Sequence, residues 1–131
     1  MQTMQQKRAK FALEGVQSAV QTLEQPHHKE YHSHVSALPF MIHANGLGQA
    51  AAFYCSKATD KPDYKHIYQL LSDWLTSTGQ PFHAYDDLLK GITNSEMPTY
   101  LAAQAEAMVF IGWVKRFAET LMRHEPEGET Q

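Results

Sequence analysis

The chain has 131 residues, of which 43% are hydrophobic and 19% charged, the composition of one globular domain. Eleven basic residues against 14 acidic ones give a net charge of -3 with neutral histidines, whereas a freestanding nucleic-acid-binding domain is usually basic overall. No run approaches the roughly 18 apolar residues that a membrane-spanning helix needs. A single cysteine, Cys55, excludes an internal disulfide.

The amino terminus and the cysteine content indicate the compartment. The sequence MQTMQQKRAK carries charge, but the apolar block and the cleavage site of a secretory signal do not follow it. One cysteine fits a reducing cytoplasm. We therefore expect a soluble, cytoplasmic protein with no membrane partner, one domain over residues 1–131 and flexible ends at 1–5 and 125–131.

Apolar residues at three- and four-residue intervals predict helices in the first half of the chain. The first runs from Gln2 to about Leu23 and ends at Pro26, because proline lacks an amide hydrogen. Two more are predicted over 27–38 and from 40 to 57, separated by Pro39. The segment NGLGQ has neither the third glycine nor the preceding strand of a phosphate-binding loop, so it predicts a tight packing point or a joint at Asn45-Gly46.

The second half of the chain predicts three further helices. Asp60 is expected to cap an amphipathic helix that starts near Pro62 and ends before Gly79, and a short helix follows around 86–90. A long segment from about Glu96 to His124, capped by Thr93-Asn94-Ser95, is nearly apolar all round between 100 and 114. We expect it to be surrounded by the others, so the fold class is all-α: a compact bundle of five or six helices with a long, central C-terminal helix.

Three groups of side chains are candidates for catalysis or metal binding, and a structural role is favoured for each. His28 and His32 share a helix face, but HKEYH is not the HExxH of zinc proteases, and surface histidines are expected. Cys55 is expected to be a partly buried filler, and Asp86-Asp87 to be first-turn residues favoured by the helix dipole. We predict no catalytic residue, no metal and no cofactor.

Binding is the remaining chemistry. Basic residues lie beside aromatic ones near Phe11 on the first helix and after Trp113 on the last, and such pairs hold phosphates and pack against bases. The alternative is that they are only the solvated ends of amphipathic helices.

Four segments carry a family resemblance: QKRAKFALE, LPFMIHANGLGQAAAFYCSK, YQLLSDWL and AEAMVFIGWVKRFAE. In that order, from about Gln6 to Glu119, they resemble the small helical subunit of the type III-B CRISPR effector, the fifth subunit of the Cmr complex. The resemblance implies an all-α, non-catalytic protein of antiviral defense, whose copies stack into a minor filament and line the channel of guide and target RNA. Its partners would be the backbone and large subunits, copies of itself, and the RNA.

The resemblance also implies which side chains contact RNA. The basic positions inside the matching motifs are Lys7, Arg8, Lys57, Lys115 and Arg116, to which we add Lys10. His43 and Asn45 would serve RNA or packing equally well. Two other classes stay open: a protein-only helical adaptor that docks partner helices without RNA contact, and a small metal-dependent hydrolase that uses histidines.

Overall fold

The computed structural model describes residues 1–122, which form five helices: α1 (Met4–Thr22), α2 (Gln25–Lys57), α3 (Pro62–Leu75), α4 (Leu88–Asn94) and α5 (Met97–Leu121). No strand occurs within these residues. The prediction of an all-α bundle of five or six helices is confirmed. The expected flexible end at 125–131 lies outside the described residues.

Helix α1 starts at a capping box. The Thr3 hydroxyl accepts a hydrogen bond from the Gln6 amide at 3.1 Å, and Gln6 Oε1 accepts one from the Thr3 amide at 2.9 Å. Two of the amide groups that a helix start leaves unpaired are therefore satisfied.

Helices α1 and α5 run in the same direction along each other. Arg8 lies opposite Glu106, the rings of Phe11 and Phe110 are 6.1 Å apart, and further along the pair Leu121 contributes to the same groove as α1. Small side chains in the core face of α1 let the two helices pack closely; they are Ala12, Val16 and Ala19.

The predicted end of a helix at Pro39 is wrong, because α2 continues through this residue. Proline in a helix interior removes one hydrogen bond and costs about 3 kcal/mol. Val35, Leu38 and Ile42, on both sides of Pro39, are at most 1% exposed. Their burial contributes roughly 1.5–3 kcal/mol per side chain, which is enough to hold the helix together across the proline.

The break in α2 occurs instead at Gly46, as the NGLGQ segment predicted. Its φ of 88° and ψ of 159° lie in a region that is open almost only to glycine. Side chains of α5 accept hydrogen bonds from the two backbone amides that follow the break: Leu47 N–H donates to Gln104 Oε1 and Gly48 N–H donates to Tyr100 Oη, each at 2.8 Å. The joint is thus held by side chains of a second helix.

The predicted caps of the later helices need correction. Lys61, not Asp60, precedes α3, and no side chain caps that helix. Asp87 caps α4 by accepting from the Lys90 amide at 2.9 Å, one residue away from the predicted first-turn position. Residues 93–95 complete α4 and its C-terminal cap, and Glu96 precedes α5.

Helix α5 packs on α1, α2 and α3, yet it is not surrounded as expected. Met97, Leu101 and Val109 are 69%, 50% and 49% exposed, so one apolar face of the helix meets solvent. Its core face consists of Ala103, Ala107, Phe110, Ile111, Val114 and Ala118. None of the described helices combines the length and the hydropathy needed to cross a membrane.

We predict that replacing Gly46 by alanine lowers the free energy of unfolding by about 1–3 kcal/mol, because alanine strains at this φ and ψ. An added Cβ would lie 3.5 Å from its nearest neighbour, so the backbone alone causes the loss. Urea denaturation followed by circular dichroism measures it. Gly112→Ala, in an exposed helical position with no atom within 4 Å, is the matched control and should gain about 0.5–1 kcal/mol. Equal stability of the two variants would contradict the role of Gly46.

Three tyrosines predict a loss of stability at alkaline pH. Burial raises the pKa of Tyr31, Tyr54 and Tyr68. Above pH about 10 the unfolded chain loses these protons more readily than the folded one, so the unfolding free energy should fall as pH rises. Denaturation at several pH values measures the slope. Within residues 1–122 the Tyr31 hydroxyl has no hydrogen-bond partner, so Tyr31→Phe should reduce the slope; an unchanged slope would refute the assignment.

Candidate functional site

Of the histidine pair considered for metal binding, His28 is buried and His32 is half-buried. His28 is 6% exposed, and its Nε2 lies 3.0 Å from the Leu23 carbonyl oxygen, while His32 Nε2 is also buried. The expectation of surface histidines is therefore wrong for His28, because α2 turns this face towards the end of α1. Within residues 1–122 no three His, Cys, Asp or Glu side chains converge to hold a metal ion. Cys55 is half-buried, as expected.

Arg8 is engaged inside the bundle. Its Nε and Nη2 donate to the two carboxylate oxygens of Glu106 at 2.5 and 2.8 Å, and Trp74 Nε1 donates to the same carboxylate at 2.9 Å. The Arg8 and Glu106 side chains are both only 14% exposed. The hydrogen bond with Glu106 raises the pKa of Arg8, so the guanidinium stays charged. This group links α1, α3 and α5.

The other predicted basic residues of α1 and α5 point away from the core. Lys7 and Lys10 are exposed on α1, whereas Lys115 is half-buried and Arg116 is exposed on α5. Since the helices run in parallel and Arg8 faces Glu106, Lys115 and Arg116 lie about 14 Å further along the bundle at 1.5 Å per residue. The structure therefore places two separate basic positions on neighbouring helices.

An aromatic side chain accompanies the basic position on α5. Trp113 stacks on Phe117 with ring centroids 5.7 Å apart, and it lines a groove of about 440 Å³ together with Val109, Gly112 and Arg116. The Arg116 side chain is 80% exposed, and its one ion pair among the described residues is a long contact of 3.8 Å to Glu119. An aromatic face and an available guanidinium thus meet at one surface.

Lys57, the last residue of α2, lies in a different place. It lines a groove that is formed by both ends of α2 and the start of α3. The groove here has a volume of about 370 Å³ and also contains two lysines that the sequence patterns did not single out, Lys29 and Lys61. We call it the lysine groove; its lining is completed by Glu30, Ser33, His34, Asp63 and Tyr64. The spacing of Lys57 and Lys61 was visible in the sequence, but only the fold of α2 brings Lys29 to them. His43 and Asn45 are exposed just before the Gly46 break.

The described residues thus form a helical protein with exposed basic side chains on α1, α2 and α5. Residues 4–121 match the family described as CRISPR-associated protein (Cas_Cmr5), and the chain belongs to that family. It is thereby a subunit of the CRISPR type III-B Cmr complex. A CRISPR-associated Cmr5 family protein from Thermus thermophilus has a similar crystal structure, with a TM-score of 0.76 and 28% identity over 94% of this chain and 100% of the other.

Removing the Glu106 carboxylate should destabilise the bundle, because it leaves a poorly exposed guanidinium and an indole N–H without their acceptor. Loss of one partner of a buried ion pair costs about 3–5 kcal/mol, and for the partly screened pair here we expect Glu106→Ala to lower the unfolding free energy by about 2–3 kcal/mol. Chemical denaturation measures this loss.

Glu119→Ala is the matched control, since the Glu119 side chain is 46% exposed and contacts Arg116 only at 3.8 Å. It should change stability by less than about 0.5 kcal/mol. Similar losses in the two variants would mean that the Arg8 network does not hold the helices together.

Proposed function

We propose that this chain is a non-catalytic structural subunit of the RNA-guided type III-B CRISPR effector in antiviral defense. Copies of it stack into the minor filament beside the backbone subunits, and the stack lines the channel in which target RNA pairs with the guide. The chain acts in the cytoplasm as part of a ribonucleoprotein. Its exposed cations contact the RNA backbone, whereas cleavage chemistry belongs to other subunits.

The observation that supports RNA contact is the combination of Arg116 and Trp113 on α5. A largely exposed guanidinium supplies phosphate contacts, and an adjacent indole supplies a face for a base or sugar. Lys7, Lys10, Lys57 and Lys115 add further cations. Arg8 would have to leave Glu106 to reach RNA, so the proposal rests on the other five basic residues.

The small net negative charge fits a subunit that works inside an assembly. With a net charge of -3, the isolated chain would attract RNA weakly, because non-specific affinity comes from phosphate neutralisation. In a complex, neighbouring subunits hold the RNA nearby, and each additional contact then acts at a high effective concentration. A few cations on each copy are sufficient under those conditions.

A protein-only helical adaptor is the second candidate, and the exposed apolar face of α5 favours it. Met97, Leu101 and Val109 would suit the apolar side of a partner helix. Crosslinking of target RNA to the assembled complex separates the two functions. Adducts on α1 or α5 support RNA contact, whereas their absence, with partner subunits still bound, supports the adaptor.

Changing Lys115 and Arg116 together to glutamate should weaken binding of target RNA by the assembled complex. For a single strand, the salt slope falls by about 0.7 for each phosphate that is no longer neutralised, so we expect roughly five- to 25-fold lower affinity near 0.1 M salt. Filter binding over a salt series measures both quantities, and circular dichroism should show intact helices.

The control carries the same charge change elsewhere: Lys65→Glu with Lys90→Glu, two exposed positions on α3 and α4. This control should retain most of the affinity. If the variant at 115 and 116 binds target RNA as tightly as the control at moderate salt, the RNA assignment of α5 is refuted.

A further inference from the structure

The lysine groove has three ammonium groups without carboxylate partners. Within residues 1–122, none of Lys29, Lys57 and Lys61 takes part in an ion pair. Lys57 Nζ instead lies 5.4 Å from the centre of the Phe53 ring. The groove of about 370 Å³ is lined by these three lysines and by two carboxylates, which gives it a net formal charge of +1 with neutral histidines and favours an anion as its ligand.

The two acids that line the groove already have partners. Asp63, which is 1% exposed, contacts His34 Nδ1, and Glu30 Oε1 lies 3.0 Å from His27 Nδ1. The hydrogen bond with His27 lowers the pKa of Glu30. Both carboxylates have a histidine as their direct partner, and Glu30 is also close enough to Lys61 for the two charges to attract, but none of the three ammonium groups has a direct ion pair within residues 1–122.

Two of the side chains that line the groove, His34 and Tyr64, are aromatic and held in place, and a third ring, Phe53, lies beside it. His34 stacks on Tyr64 with ring centroids 4.1 Å apart, and the Tyr54 hydroxyl donates to the His34 carbonyl oxygen at 2.6 Å. Phe53 is 40% exposed beside Lys57 and meets Tyr64 edge to face. An exposed aromatic ring next to cations favours a nucleic-acid strand over an acidic peptide, because it gives a base or sugar a surface to pack on.

We propose that the lysine groove binds a phosphate group of an RNA strand, with Lys29 and Lys61 as contacts in addition to Lys57. This inference rests on the proposed function, since it adds a place where the same RNA meets the chain. The groove lies between α2 and α3, apart from the basic position on α5, so each copy of the chain would contact the strand at two sites.

The test changes only Lys29 and Lys61, because neither belongs to the basic residues of the proposed function. The complex is assembled with the full-length Lys29→Gln, Lys61→Gln chain, and its affinity for a single-stranded target RNA is measured from about 0.05 to 0.3 M salt. The matched control is Lys65→Gln with Lys90→Gln, which removes the same charge. We expect the groove variant to bind roughly five- to 25-fold more weakly than the control near 0.1 M salt, with a shallower salt slope.

Lys29→Arg with Lys61→Arg keeps the charge and should restore most of the affinity, which rules out a folding defect. The proposal is overturned if the groove variant binds as tightly as the Lys65 and Lys90 control. It is equally overturned if the variant fails to assemble with its partner subunits although its circular dichroism is unchanged, since the groove would then be a protein interface.

The outcome is separable from that of the α5 test. Weaker binding only in the variant at Lys115 and Arg116 would keep the proposed RNA contact and remove the groove from it. Weaker binding only in the groove variant would place the RNA contact between α2 and α3 and remove it from α5. Unchanged binding in both would refute RNA contact at either surface.

Discussion

The fold depends on how α5 satisfies the backbone that the Gly46 break exposes. A helix interrupted in its middle leaves amide groups without acceptors, and a buried amide without an acceptor costs about 1–3 kcal/mol. Here Gln104 and Tyr100 accept from the amides of Leu47 and Gly48. Because these acceptors belong to α5, the two halves of α2 keep their direction only while α5 is docked. The joint in α2 and the packing of α5 against it therefore stabilise each other.

A second polar group, Arg8 with Glu106 and Trp74, joins side chains of three helices on the opposite side of α5. Three hydrogen bonds to one carboxylate connect α1, α3 and α5, and their poor exposure keeps water from competing for them. The consequence is that Arg8 serves as a structural link between helices, whereas the exposed Lys7, Lys10 and Arg116 are not part of this network.

The sequence was sufficient for the helix content and for the joint, because helical periodicity and glycine are local signals. It failed at Pro39, where the local rule against proline was outweighed by the burial of Val35, Leu38 and Ile42, a property of the folded bundle. It also failed on the face of α5, since an apolar segment does not show which of its sides lacks a neighbour.

In the candidate site, the motif around Trp113 could be found from the sequence. The lysine groove could not, because Lys29 joins Lys57 and Lys61 only where the fold brings the two ends of α2 together.

The position of the free cations has a consequence for the kind of ligand. One compact anion could contact all of these cations only if they converged. The cations on α1, on α5 and in the lysine groove lie on separate helices, and those on α1 and α5 are about 14 Å apart along the bundle. Phosphates along an extended strand are spaced regularly, so a strand can meet separated cations that no small anion could bridge. Lys57 lies beside the Phe53 ring and Arg116 lies beside the Trp113 ring, so each position also offers a surface on which a base can pack. The separation of these three basic positions therefore favours the proposed contact with an extended RNA strand over one small anion that would have to reach all of them.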